Sequence, residues 1–208
     1  MNYNSQISQL LLSGEVICAY SHPSFFQRLV QNDELLVQIE TTLLSLERRL
    51  IQSESGNTFY AVNATLDDKE KSEAKIYFKY IVHDARYILS WLDFFAEVSQ
   101  QDIYIQAGDK INFSDTVNAL TYNQSLQEKL RAILKVSSNI DVVQLAEKLF
   151  DRLQKKDKVM ILVDRHKRQY QFTGKLELIQ QSLLFIVEQN LLYQAEPAEV
   201  SQEQRGML

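Results

Sequence analysis

A short pattern occurs twice in this chain of 208 residues. Each copy reads helix, helix, then two strands joined by a polar tip. The first runs from about Ser21 to Asn63 and ends in the hairpin RRLIQS-ESGN-TFYAVN. The second runs from about Asn123 to Gly174 and ends in KVMILV-DRHKR-QYQFTG. Two helices followed by a hairpin form the unit of a winged-helix domain. The predicted fold is therefore mostly α with small β-hairpin wings, an α+β chain of tandem winged-helix domains bridged by a long aromatic helix.

The local signals behind that reading are periodicity and capping. Residues 5–13 predict a short helix stopped by Gly14, and EVICAY (15–20) a short buried strand. Ser21-His22-Pro23 starts a helix with Phe25, Phe26, Leu29 and Val30 on one face. Asn32-Asp33 caps the next, which carries Leu35, Leu36, Ile39, Leu43 and Leu44 at helical spacing. The polar run 64–73 reads as a linker, and a helix over about 72–99 carries the aromatic stripe around Tyr77, Tyr80, Trp91 and Phe95. Residues 101–111 read as irregular, with a turn at Gly108-Asp109. Three helices follow, opened by Ser114-Asp115, by Asn123/Ser125 and by Ser138/Asn139. The second hairpin then leads into an amphipathic helix over 174–190. The expected organisation is an N-terminal winged-helix-like domain (1–66), a linker and bridging helix (67–112), a C-terminal winged-helix domain (113–193) and a flexible tail (194–208).

Composition narrows the class. Five glycines and two prolines argue against a turn-rich β-sandwich. The net charge of −5 means that any contact with nucleic acid must rest on a local patch. The single cysteine, Cys18, excludes an internal disulfide framework and reads as a small core residue. The first residues lack the basic start and apolar core of a signal peptide, and no apolar run approaches the roughly 20 residues that cross a bilayer. The expectation is a cytoplasmic protein with no membrane partner.

No catalytic residues, metal ligands or cofactors are predicted. His22, His83 and His166 lie far apart in sequence, no phosphate-cradling glycine motif occurs, and His22, Asp33 and Glu34 do not have a metal spacing. The strongest electrostatic feature is the second hairpin. Lys155, Lys156 and Lys158 flank its base, and Arg165, His166, Lys167 and Arg168 form its tip. The six lysines and arginines of this set are the candidate DNA-binding residues, because a basic wing can lie along phosphates. The first tip, Glu54 to Asn57, is acidic and lacks the feature. The helix before the second hairpin, 140–155, carries Asp141, Glu147 and Asp151, which oppose entry into a major groove. Any DNA contact is thus expected to be with the backbone and without sequence specificity.

The stretch 10–62 resembles the N-terminal region of MukE- and MksE-type subunits of bacterial condensins. The matching residues are Gly14-Glu15-Val16-Ile17, Phe25-Phe26, Leu43-Leu44 and Phe59-Tyr60. The order of elements continues to match over roughly residues 5–190. The resemblance implies a kleisin-interacting tandem winged-helix subunit that forms a homodimer and reaches an SMC-like ATPase through the kleisin. It implies a nucleoid-associated place in the cytoplasm. It carries over no catalytic motif and does not identify the kleisin-binding surface.

The expected function is therefore that of a non-catalytic accessory subunit of a condensin-like SMC complex, in chromosome organisation and segregation or in plasmid defence. The alternative is a winged-helix DNA-binding transcription regulator, which needs a basic recognition helix where this chain has acids.

Overall fold

The computed structural model describes residues 3–65, 85, 87–99 and 105–195. Among them the chain is mostly helical α+β, with eight helices and two small three-stranded antiparallel sheets. Most of the expected linker, the first part of the aromatic helix and residues 196–208 of the expected tail lie outside the described residues.

The first half contains α1 (Tyr3–Leu12), β1 (Ile17–Cys18), α2 (Pro23–Gln31), α3 (Asp33–Leu44), β2 (Arg48–Gln52) and β3 (Thr58–Asn63). Helix α1 stops because Gly14 takes φ +77°. Gly14 N donates to Leu11 O and Glu15 N to Leu10 O, so two end carbonyls gain partners. Asn32 ends α2 and caps α3, its side chain accepting from Leu35 N at 2.9 Å. The expected strand over 15–20 is only two residues long, and it pairs with β3 rather than beginning a ladder of its own. The sheet order is β1-β3-β2, with Leu50 opposite Ala61 and Gln52 opposite Phe59. Ile7, Leu11, Ile17, Leu29, Ile39, Leu43, Leu50 and Phe59 bury themselves between this sheet and the three helices.

The second half repeats that order with two more helices, one before its hairpin and one after it. It contains α4 (87–99), β4 (Lys110–Asn112), α5 (Phe113–Tyr122), α6 (Gln124–Leu134), α7 (Val142–Asp151), β5 (Met160–Asp164), β6 (Gln169–Phe172) and α8 (Lys175–Ala195). A π-helical turn, Arg152–Lys156, extends α7 toward β5. The sheet order is β4-β6-β5, again with the last strand in the middle. Strand β4 falls where an irregular segment was expected; Ile111 is its one buried residue and gives little periodicity to read. Helix α5 starts at Phe113, behind Asn112, rather than at Ser114-Asp115. Helix α7 is capped by Asp141, which accepts from Gln144 N at 2.9 Å, rather than by Ser138/Asn139.

The described part of the aromatic helix packs into the second core. Trp91 stacks on Phe172 with ring centroids 6.2 Å apart, and Phe95 meets Phe150 edge-on at 5.8 Å. Arg152 lies 3.5 Å over the Tyr87 ring, while Tyr87 donates its hydroxyl hydrogen to Asp157 at 3.0 Å. Lys129 on α6 bridges Asp93 and Glu97 of α4.

The two halves meet along one seam. Gly174 N donates to Cys18 Sγ at 3.3 Å, Thr58 donates its hydroxyl hydrogen to Glu177 at 3.4 Å, and Lys158 pairs with Glu15. Two glycines make the approach possible. A Cβ on Gly174 would fall 2.0 Å from Thr58 Oγ1, and one on Gly108 would fall 2.6 Å from the Tyr20 ring. No helix among the described residues is long and apolar enough to cross a membrane.

Candidate nucleic-acid interface

The second hairpin is held in shape by its own polar residues. Asp164 Oδ1 accepts from His166 N at 2.9 Å and Lys167 N at 3.0 Å, closing the tip. The ladder slips between Leu162 and Asp164, which re-aims the tip. Arg168 ends the turn at φ +47°, and its carbonyl accepts from Phe113 N at 3.0 Å. The tip is thereby pinned to the start of α5.

The structure divides the six candidate cations. Arg165 and Lys167 are exposed at the tip and make no ion pair among the described residues. Arg168 is occupied: its guanidinium lies 3.5 Å over the Phe113 ring, and Nη1 and Nη2 each donate to Glu147 at 3.3 Å. Phe113 is itself buried against Phe150, so Arg168 caps the aromatic core from outside. Lys155, Lys156 and Lys158 sit at the other end of the hairpin, a five-residue strand away, or roughly 15 Å at about 3.3 Å per residue. Lys155 pairs with Asp151 at 2.9 Å, one turn back on the helix, and both are exposed. Such a pair is weak and opens easily to another anion. Lys158 pairs with Glu15 of the first half and belongs to the seam. Lys156 is exposed and unpaired among the described residues. Arg165, Lys167 and Lys156 are therefore the free charges, and Lys155 is loosely held.

The acids on α7 also have specific positions. Asp141 is the helix cap, Glu147 holds Arg168, and Asp151 holds Lys155. The helix's exposed side carries Val143, Gln144, Glu147, Lys148 and Asp151. Lys148, outside the basic set expected from sequence, follows the Glu147 that the hairpin tip grips. The buried Leu145, Ala146, Leu149 and Phe150 share one face, and at about 100° per residue position 148 lies roughly 130° from its centre, so helical spacing alone turns 148 outward.

Charge is divided between the halves. Residues 3–65 hold six carboxylates, three arginines and no lysine. Residues 105–195 hold 13 lysines and arginines against 10 carboxylates. The positive excess thus lies on the half that carries the basic hairpin.

One contact resembles a nucleophile and its base. Ser21 Oγ is 3.0 Å from His22 Nδ1, and also 3.0 Å from Cys18 Sγ. His22 stacks on Phe25 at 6.2 Å, and no carboxylate bonds it among the described residues. Cys18 Sγ accepts from Ser21 N at 3.2 Å and from Gly174 N. The group holds the turn before α2 to the seam. Among the described residues no cluster of three or more His, Cys, Asp or Glu side chains could hold a metal ion.

No protein-family model matches the chain, and no match was found among curated proteins.

Proposed function

We propose that this chain is a non-catalytic subunit of a bacterial condensin-like SMC complex, built from two winged-helix units, which binds a kleisin and helps hold DNA. The observation that carries the reading is the repeat itself. Both halves run helix, strand, helices, hairpin, with the last strand central in the sheet, the order expected of a winged helix. The resemblance of residues 5–190 to MukE- and MksE-type subunits agrees with that order. The mechanism is structural: the body binds the kleisin, the kleisin connects it to the ATPase, and the second hairpin contributes salt-sensitive contact with the DNA backbone. The subunit works as a homodimer in the cytoplasm, at the nucleoid, in chromosome organisation or plasmid defence.

Arg165 and Lys167 are the assigned DNA-contacting residues, with Lys156 and Lys155 at the far end of the hairpin. Phosphate contact without base reading fits the mixed charge of the exposed side of α7. A transcription regulator needs a basic face there.

The test is co-purification of the full chain with a kleisin-like protein from the same genome. A stable complex at moderate salt supports the reading. Two folded proteins that do not associate would sink it. Tight, sequence-dependent binding of a defined duplex by the isolated chain would favour a regulator instead.

A further inference from the structure

We infer that the outer face of α3 is a docking surface for a basic amphipathic helix of a protein partner. The inference rests on the chain being a partner-binding subunit and gives that reading a surface.

Two large apolar side chains stand out on this helix. Val37 is 58% exposed and Leu44 is 55% exposed. They are seven residues apart, so at about 100° per residue they lie within roughly 20° of one another. Thr41 sits between them, and its hydroxyl donates to Val37 O at 2.8 Å, which leaves it no free donor for solvent. Leu46, just beyond the helix end, is 50% exposed. The buried Ile39 and Leu43 occupy the opposite side, so the seam is not a displaced core face.

Carboxylates frame the seam. By the same angular spacing Asp33 and Glu40 lie on one side of Val37 and Glu34 on the other, all within about 60°. None makes an ion pair among the described residues. The first half has no lysine to neutralise them; of its three arginines, Arg28 on α2 lies 3.9 Å over the Tyr3 ring, and Arg48 and Arg49 follow on β2, past the seam.

Charge selects the occupant. An apolar line edged by carboxylates fits a helix whose own apolar line is edged by lysine or arginine. DNA is disfavoured by the acids, and a second copy of α3 would bring acid against acid. The matching helix of the second half differs: on α7, Glu147 is held by Arg168 and Asp151 by Lys155, and no apolar line runs between them. The two halves thus present different surfaces at the same place in the repeat.

The probes are two synthetic peptides of about 18 residues, long enough for five helical turns. They share one leucine seam, flanked by lysine in one and by glutamate in the other. Binding to the full chain is read by fluorescence anisotropy. The lysine peptide is expected to bind at least about tenfold more tightly than the glutamate peptide. V37S/L44S and, separately, E34K/E40K are each expected to weaken it by about tenfold while keeping the folded far-UV spectrum at the assay temperature. E34K/E40K melts slightly lower, because Glu34 lies in the first turn of α3. Equal binding of the two peptides, or wild-type binding by either variant, would overturn the surface. The kleisin is tested on the same proteins. Equal retention by wild type and V37S/L44S overturns the α3 surface and leaves the proposed function intact. Lysine-peptide binding at α3 with no kleisin held by wild type overturns the proposed function and leaves the surface intact.

Discussion

The backbone N–H of Gly174 donates to the thiol sulfur of Cys18, 3.3 Å away and 156 residues earlier in the chain. This contact needs a bare Cα. A methyl group at 174 would meet Thr58 Oγ1 at 2.0 Å and Cys18 Cβ at 2.9 Å, and both neighbours are buried. Gly174→Ala is expected to lower unfolding free energy by about 3 kcal/mol, the upper part of the usual range for overpacking. Gly14→Ala is the contrast. Nothing lies within 4 Å of its Cβ, and only the positive φ opposes it, so a loss of about 1 kcal/mol is expected. Urea titration of both variants checks the order. Equal losses would show that the seam yields to the methyl group.

The divided roles on the second hairpin predict a divided mutational result. R165A/K167A should leave stability unchanged and weaken DNA retention in the assembled complex. The slope of log affinity against log salt should fall by about 2, one for each lost phosphate contact. Arg168→Ala should instead lower stability by about 1–2 kcal/mol, because it uncovers Phe113 and leaves Glu147 without its partner. Filter retention across a salt series, with a melt of each variant, separates the two effects. Unchanged retention with R165A/K167A would remove the hairpin from the DNA path.

Signals that act within one turn of chain were legible in the sequence. Asn32 and Asn123 stand at cap positions in the sequence pattern, and each accepts from the N–H three residues on. Both hairpin tips fall where polar residues interrupt apolar runs. The capping role of Asp141 is hidden in the sequence because it depends on where the helix starts, and Ser138 and Asn139 offer equally good starts. Strand β4 was missed because three residues with one buried side chain have no period. The candidate site failed most at Arg168. Its partners Glu147 and Phe113 lie 21 and 55 positions away, and local sequence carries no signal for such pairs.

Lys135 ends α6 in the left-handed region at φ +53°, where glycine is the usual occupant. Its N–H donates to Ala132 O and that of Val136 to Arg131 O, so the backbone bonds do not need the side chain. Lys135→Gly is expected to stabilise the protein by about 0.5–1 kcal/mol, which raises Tm by roughly 2–4 °C in a chain of this size. A thermal melt decides it. A lower Tm would mean that the lysine side chain makes up for its backbone strain.

Lys175 opens α8 at the seam, and burial pushes its ammonium below the ordinary 10.5. Glu15 and Asp157 pull the other way, while Lys158 adds to the depression. A lysine depressed in the folded state binds fewer protons there than in the unfolded chain, across the interval between its folded value and 10.5. Stability therefore rises with pH through that interval, and below it the folded protein bears the whole cost of burying the charge. Tyr60 has the opposite sign. Burial, then Glu177 and Glu54, raise its phenol above 10.0, so stability falls once pH passes that value. The clean window lies below about pH 10. Lys175→Met is expected to be more stable than wild type at neutral pH, with a gap that narrows as pH rises toward that limit. Urea midpoints of both proteins across the window provide the measurement. A gap that stays constant would assign the gain to packing by the methionine rather than to removal of the buried charge.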